Sequence, residues 1–243
     1  MQNLRVSLVQ FSIEWHNAEK NLKLISEKIA PLKGNTDLII LPEMFSTGFT
    51  MEVDQQFEEM NGPTIHWMMD QAKNLDATLC GSLIIREDGL YYNRLLCVHP
   101  DGVVEHYDKR HLFSMANEND FFTSGNKSLI TTIKGWRIKP MICYDLRFPV
   151  WSRNQLTRDG LDYDVLLFVA NWPKARISAW DNLLQARAIE NLSYCIGVNR
   201  VGTDGMNIEY NGHSACYDFK GAIVGSINEG ASITTHELQA AQL

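Results

Sequence analysis

Short apolar runs bounded by turn residues recur along the chain, and their order constrains the fold more than any other feature. Residues 5–11, DLIIL at 37–41, TLCGSLII at 78–85, LYYNRLLCVH at 90–99 and VVEHY at 103–107 read as strands. Two stretches with helical spacing lie among them. In 17–30, Leu22, Ile25 and Ile29 fall on one face and Asn17 is placed to cap it. Gly62-Pro63-Thr64 opens the second, with Pro63 in the first turn. Asp88-Gly89 marks a hairpin and Asp101-Gly102 a further turn. After a polar stretch over 108–128, a strand pair turns at Lys134-Gly135 and ends in RIKPMIC. A helix is predicted over 149–156, then the buried strand DVLLFVA at 164–170, a long helix over 176–192 and the buried strand SYCIGVNRV. Three shorter strands follow, HSACYDF, AIVGSI and ASITTHE. Helices alternate with strands early, hairpins fill the middle and helices return. That order predicts two packed sheets with helices outside, or one large mixed sheet. Periodicity alone does not choose between them.

The 243 residues contain no Pro/Gly/Ser-rich linker, low-complexity tract or repeat, so one domain over 1–243 is expected. No apolar run approaches the length of a bilayer span, so no membrane partner is expected, and residues 1–11 read as a start plus a strand instead of a signal peptide. The five cysteines show no CxxC and suit free thiols in a reducing compartment, which predicts a cytoplasmic location. A net charge of −7 with both signs interspersed argues against nucleic acid as a partner. It also means that an anionic substrate needs a local cationic pocket. Neither HExxH nor paired Cys/His spacing appears, and neither does GxGxxG or a P-loop. No metal and no nucleotide cofactor is therefore expected.

Four apolar strands end abruptly in polar residues: DLIILP runs into Glu43, VVEHY into Asp108-Lys109, IKPMI into Cys143 and DVLLFVA into Asn171. The carboxyl ends of core strands are where α/β folds gather catalytic groups. Cys143 alone reads most simply as a buried core thiol. Polar Tyr144-Asp145 and Arg147 follow it at once, however, which suggests a sharp turn presenting the sulfur. Backbone N–H groups beyond it would bind an oxyanion and lower the thiol pKa. Glu43 reads either as a loop carboxylate or, behind DLIIL, as a partly desolvated group suited to proton transfer. Lys109 reads equally as a surface lysine in a basic triplet with Arg110 and His111. His111 is the best placed of seven histidines for a Cys–His pair, but no protease-like cysteine signature surrounds Cys143.

Three segments taken together, LPEMFSTGF at 41–49, YDKRHLF at 107–113 and ICYDLRFP at 142–149, resemble the glutamate, lysine and cysteine motifs of the nitrilase superfamily of carbon–nitrogen hydrolases, in that family's order. SLVQF, NRLLCVHPDG, VANWP, QARAIEN and NRVG extend the likeness over nearly the whole chain. LPEMFSTGF, KRHLFSMANEND and NWP are similar to the omega-amidase branch, which deamidates 2-oxoglutaramate and related omega-amides of dicarboxylates. The resemblance implies a four-layer αββα sandwich, an α/β arrangement of two mixed sheets with helices outside, assembled as a homodimer or higher homo-oligomer. Relatives generally carry a further segment beyond the position of HELQAAQL that helps cover the partner subunit. The resemblance also implies a thiol-dependent amidohydrolase acting without cofactor through a cysteinyl thioester. Cys143 would be the nucleophile, Glu43 the general base, Lys109 the oxyanion cation with the Tyr144 backbone N–H, and Glu118 the second active-site glutamate. A distal carboxylate would need a cation from among Arg147, Lys174, Arg176 and Arg200, and bidentate pairing favours an arginine. Phe45, Phe49, Tyr144 and Trp172 would supply apolar walls, or else pack in the core. Rival readings are a nitrile or carbamoyl-amine hydrolase, an acyltransferase, a redox-sensing thiol protein, and a silent scaffold binding small carboxylates or partner proteins.

Overall fold

A computed structural model describes residues 2–158, 160–225 and 228–242. In chain order the strands are β1 (Leu4–Gln10), β2 (Leu38–Ile40), β3 (Thr78–Glu87), β4 (Leu90–Val98), β5 (Val104–Asp108), β6 (Thr131–Ile133) and β7 (Trp136–Ile142). Then come the two-residue pair β8 (Leu156–Thr157) and β9 (Gly160–Leu161), followed by β10 (Val165–Val169), β11 (Tyr194–Val198), β12 (Val201–Thr203), β13 (Glu209–Asn211), β14 (Ala215–Tyr217) and β15 (Ser232–Leu238). The helices are α1 (Ala18–Ile29), α2 (Val53–Gln56), α3 (Pro63–Leu75), α4 (Glu118–Phe121), α5 (Pro149–Ser152) and α6 (Ile177–Asn191). One sheet has the order β15-β1-β2-β3-β4-β5 and the other β14-β11-β10-β7-β6, while β12 and β13 form a separate hairpin.

Both sheets are mixed, for a local reason. Where a helix intervenes, as α1 does between β1 and β2 and α6 between β10 and β11, the strands pair in parallel. Where only a turn intervenes, they pair antiparallel. At the β3–β4 turn Asp88 and Gly89 both take positive φ, 51° and 77°, as a two-residue primed turn requires.

Alternation along the strands sets the layers. Leu4, Val6 and Leu8 of β1, with Leu38 and Ile40 of β2, pack against Ile138, Leu167 and Ile196 of the second sheet. The opposite face of the first sheet, including Val9, Ile39 and Leu79, packs on Ile25 and Ile29 of α1 and Met68 and Ala72 of α3. Trp180, Leu184 and Ala188 of α6 cover the outer face of the second sheet. The result is a four-layer αββα sandwich. Burying so much aliphatic and aromatic surface in two contiguous cores supplies the main driving force for the fold. No helix among the described residues is long and apolar enough to cross a membrane.

The helix expected over 149–156 ends at Ser152. Asn154 leaves the helical path because its backbone N–H donates to Asn191 Oδ1 at 2.9 Å and its side chain donates to the Tyr163 carbonyl at 2.9 Å. The strand expected at AIVGSI reduces to a single bridge between Ile223 and Tyr217. The Asp218 carboxylate turns the chain there by accepting the N–H groups of Lys220 and Ala222. Ser226 and Ile227 of that expected strand lie outside the described residues.

Candidate active site

The four polar strand ends converge. Glu43 follows β2, Lys109 follows β5, Cys143 follows β7 and Asn171 follows β10. The first two belong to one sheet and the last two to the other, so the site straddles the facing sheets.

Lys109 is buried, and its ammonium lies between two carboxylates. Nζ is 2.9 Å from Glu43 Oε1 and 3.0 and 2.9 Å from the two oxygens of Glu118. Burial would lower the lysine's pKa, but Glu118 and Glu43 outweigh it and hold the ammonium more firmly protonated than a free lysine. Glu118 opens α4, and its carboxylate also accepts the Phe113 N–H at 2.6 Å. Burial raises the Glu118 pKa, Lys109 opposes that shift and Glu43 adds to it. Glu43 Oε1 also accepts from Asn93 Nδ2 at 2.8 Å, and Oε2 accepts the Asn171 N–H at 2.8 Å. The Asn171 side chain in turn donates to the Glu43 carbonyl at 2.5 Å. Both oxygens of the Glu43 carboxylate are therefore fixed, Oε1 by donors from the first sheet and Oε2 by one from the second.

Cys143 has φ 43°, a left-handed conformation costly for a residue with a side chain, and it starts a short 3-10 turn over Cys143–Arg147. The first N–H groups of such a turn lack intrahelical acceptors, which suits that of Tyr144 to an oxyanion. The sulfur is 4.0 Å from the Asn171 carbonyl, and the Glu43 carboxylate lies near enough to act on it electrostatically. The expectation that the turn lowers the thiol pKa is not met. Burial raises it, Glu43 raises it further, and Lys109 only partly opposes them. With both carboxylates ionised, the cluster carries one net negative charge. A thiolate forms readily here only if its proton stays within the cluster, and Glu43 is placed to hold it.

The thiol lies in a cavity of about 390 Å³. Phe49, Tyr144 and Trp172 line it as expected, together with Phe113, Met115 and Tyr210. Arg147 and Arg176 line it as well. The first guanidinium lies 5.0 Å from the Trp172 ring centre and the second 5.1 Å from that of Phe113. Neither has a carboxylate partner among the described residues.

Three expected positions fall elsewhere. Phe45 does not reach the cavity: it is fully buried in the outer core, tilted against Trp67 and so close to Gly81 that a Cβ there would meet its ring at 2.7 Å. Lys174 is largely exposed and pairs with Glu209 at 3.0 Å, away from the cavity lining. Arg200 is fully buried behind Tyr210 and is held by the Ile13 carbonyl. His111 is not paired with the thiol. Its Nδ1 is 2.7 Å from Asp145 and its ring stacks on Phe148 at 3.7 Å.

Asn93 and Asp145 were not singled out from the sequence. Asn93 bridges Glu43 and Glu118, and its Oδ1 accepts from Ser82 at 2.9 Å. An asparagine inside an otherwise strand-forming run is a usable signal, since such a residue is depleted in strands and must find partners when buried. Gly125 serves the lysine. Its N–H donates to the Lys109 carbonyl at 2.9 Å, and a Cβ there would lie 2.2 Å from the Asp108 carbonyl. Only glycine lets the two backbones approach so closely.

Residues 5–243 match the carbon–nitrogen hydrolase family. The chain is 42% identical over 224 residues to the omega-amidase YafV of Escherichia coli K12, covering 92% of this chain and 85% of that protein. It is 30% identical over 239 residues to the 2-oxoglutaramate amidase of Bacillus subtilis, covering 96% and 91%. A CN-hydrolase superfamily protein from Xanthomonas campestris, whose crystal structure carries an arsenic adduct in the active site, superposes with a TM-score of 0.97 at 46% identity, covering 99% of this chain and 92% of that one.

Proposed function

The chain belongs to the carbon–nitrogen hydrolase family and is a hydrolase of amides, and from that premise we propose that it cleaves omega-amides of dicarboxylates, 2-oxoglutaramate among them, to the acid and ammonia. The observation that carries this reading is the pair of arginines in the same cavity as the thiol, neither with an ion-pair partner among the described residues. They supply two guanidiniums beside the thiol in a protein of net charge −7, in a cavity whose lining also includes Glu43, Glu52 and Asp204. Arg147 and Arg176 hold the distal carboxylate, and Phe49 and Trp172 enclose the carbon chain.

In this mechanism Glu43 accepts the Cys143 proton as sulfur attacks the amide carbon. Charge developing on the carbonyl oxygen meets the Lys109 ammonium and the Tyr144 N–H. Glu43 then passes its proton to the departing nitrogen, and ammonia leaves behind a cysteinyl thioester. Glu43 next removes a proton from water, whose oxygen attacks the thioester. Collapse releases the carboxylic acid and returns the proton to sulfur. Glu118 holds Lys109 in place throughout. The steps need no cofactor or metal.

We read residues 1–243 as one domain, working in the cytoplasm, where its five free cysteines stay reduced. A homodimer fits the exposed Val150 of α5 and the exposed Ile189 and Leu192 at the end of α6. A bond of 2.8 Å from Arg153 to the Glu190 carbonyl holds these two elements side by side.

The test is ammonia release from 2-oxoglutaramate by wild type and by Cys143→Ala, with an uncharged aliphatic amide run beside it. Release by wild type alone, faster from the dicarboxylate amide, is the expected result. A preference for the uncharged amide would remove the dicarboxylate assignment.

A further inference from the structure

We propose that Asp145 and His111 form a positioning clamp that holds the nucleophile and the oxyanion cation in register across the two sheets. The inference rests on the assignment of Cys143 and Lys109 made above. Asp145 is completely buried and accepts four hydrogen bonds. Oδ2 takes the Tyr107 hydroxyl at 2.7 Å and the Ile142 N–H at 3.1 Å. Oδ1 takes the His111 N–H at 2.9 Å and His111 Nδ1 at 2.7 Å. A carboxylate only accepts, so Nδ1 carries the proton. No lysine or arginine forms an ion pair with Asp145 among the described residues, so its direct partners are these hydrogen-bond donors.

The donors sit beside the reacting groups. Ile142 precedes Cys143, Tyr107 lies two residues before Lys109, and His111 lies two residues after it. One carboxylate thus fixes the strand end carrying the thiol and both flanks of the residue carrying the ammonium. Tyr107 lies at the end of β5 in the first sheet with Lys109 just beyond it, and Ile142 ends β7 in the second. The bond to Ile142 also ties off the turn in which Cys143 takes its left-handed φ. His111 is held flat against Phe148, with an angle of 4° between the rings, and the Trp151 indole N–H donates to the Tyr107 hydroxyl at 3.0 Å. The clamp is therefore braced on both sides. Its role is distinct from that of Glu118, which touches the ammonium itself.

Asp145→Asn is the harsher test. Whichever way the amide turns, its NH₂ faces a backbone N–H, that of Ile142 or that of His111. The milder pair is His111→Leu, which keeps packing against Phe148 but loses the Nδ1 donor, and His111→Asn, which restores a donor close to that place. Three quantities are measured: kcat and KM on an amide that wild type hydrolyses, the rate of Cys143 alkylation by iodoacetamide, and the melting temperature. For His111→Leu we expect kcat to fall about 100-fold, the loss that a small misplacement of reacting groups produces, with KM within about twofold of wild type. Alkylation slows with it, and His111→Asn recovers at least about tenfold in kcat. Should Asp145→Asn fail to fold, the His111 pair decides. A His111→Leu enzyme within about threefold of wild-type kcat, or a His111→Asn enzyme no better than His111→Leu, overturns the clamp. Wild-type protein that hydrolyses no amide and whose Cys143 resists iodoacetamide overturns the nucleophile assignment, and the clamp falls with it.

Discussion

At the scale of single residues, the site is a small arrangement of charges enclosed by protein. Lys109 shares its ammonium between Glu43 and Glu118, and all three side chains are buried. Glu43→Gln keeps the size but cannot hold the thiol proton, and its NH₂ must face either the Asn171 N–H or the donors of Asn93 and Lys109. Its kcat should fall by about 100- to 10,000-fold, the range of a lost general base, in a protein that still folds but melts somewhat lower. Steady-state kinetics beside a thermal melt check this, and near-normal turnover would take the base role from Glu43. The arginines are expected to act on binding instead. Arg147→Gln or Arg176→Gln should raise KM for 2-oxoglutaramate about 10- to 100-fold, the worth of a charge-assisted hydrogen bond, and change KM for an uncharged amide far less. Equal effects on both substrates would show that the guanidiniums pack against Trp172 and Phe113 without reading a carboxylate.

At the scale of elements, one carboxylate ties the two sheets together away from the site. Asp37, just before β2, accepts from the Arg5 side chain of β1 at 2.8 Å and from Lys134, in the β6–β7 turn, at 2.5 Å. Burial would raise its pKa, but the two cations outweigh it and bring it down to about 2 from 3.8. The tie therefore contributes fully above about pH 4 and is lost as the pH falls from there toward 2. Its worth is no more than about 2 kcal/mol, because both cations reach into water. Asp37→Asn should melt lower than wild type at neutral pH, and the gap should close on acidification. A gap that does not narrow between about pH 4 and pH 2 would mean that the loss is one of packing. The strands and main helices of this sandwich were legible in the sequence because alternation and helical spacing are local properties. The four polar strand ends were legible for the same reason. What escaped was set by distant partners. Asn93 has meaning only once Glu43 and Glu118 are beside it, and α5 stops because Asn154 finds Asn191 and Tyr163. Phe45, two residues after Glu43 in sequence, points the other way because Met44 takes φ 44° and turns the chain. Arg147 and Arg176 could be told from Lys174 and Arg200 only by a cavity that no run of residues encodes.

At the scale of the whole molecule, Val150, Ile189 and Leu192 leave apolar surface near one end of α6. If a second copy covers it, Ile189→Lys with Leu192→Lys should convert a sedimenting dimer to a monomer of unchanged fold. Wild type that sediments as a monomer would discard the dimer. A different consequence follows from the place of β15, which lies along the full length of β1, Leu4 opposite Leu238 and Gln10 opposite Ser232. The first described strand in chain order is thus paired on one flank by the last described one, so β1 emerges in synthesis well before the strand that covers that flank. Throughout synthesis that flank of β1, with Leu4, Val6 and Leu8 beside it, stands open to any other strand. The chain depends on whatever shields a nascent edge, and trimming β15 would leave the finished protein permanently in the condition of one still being made.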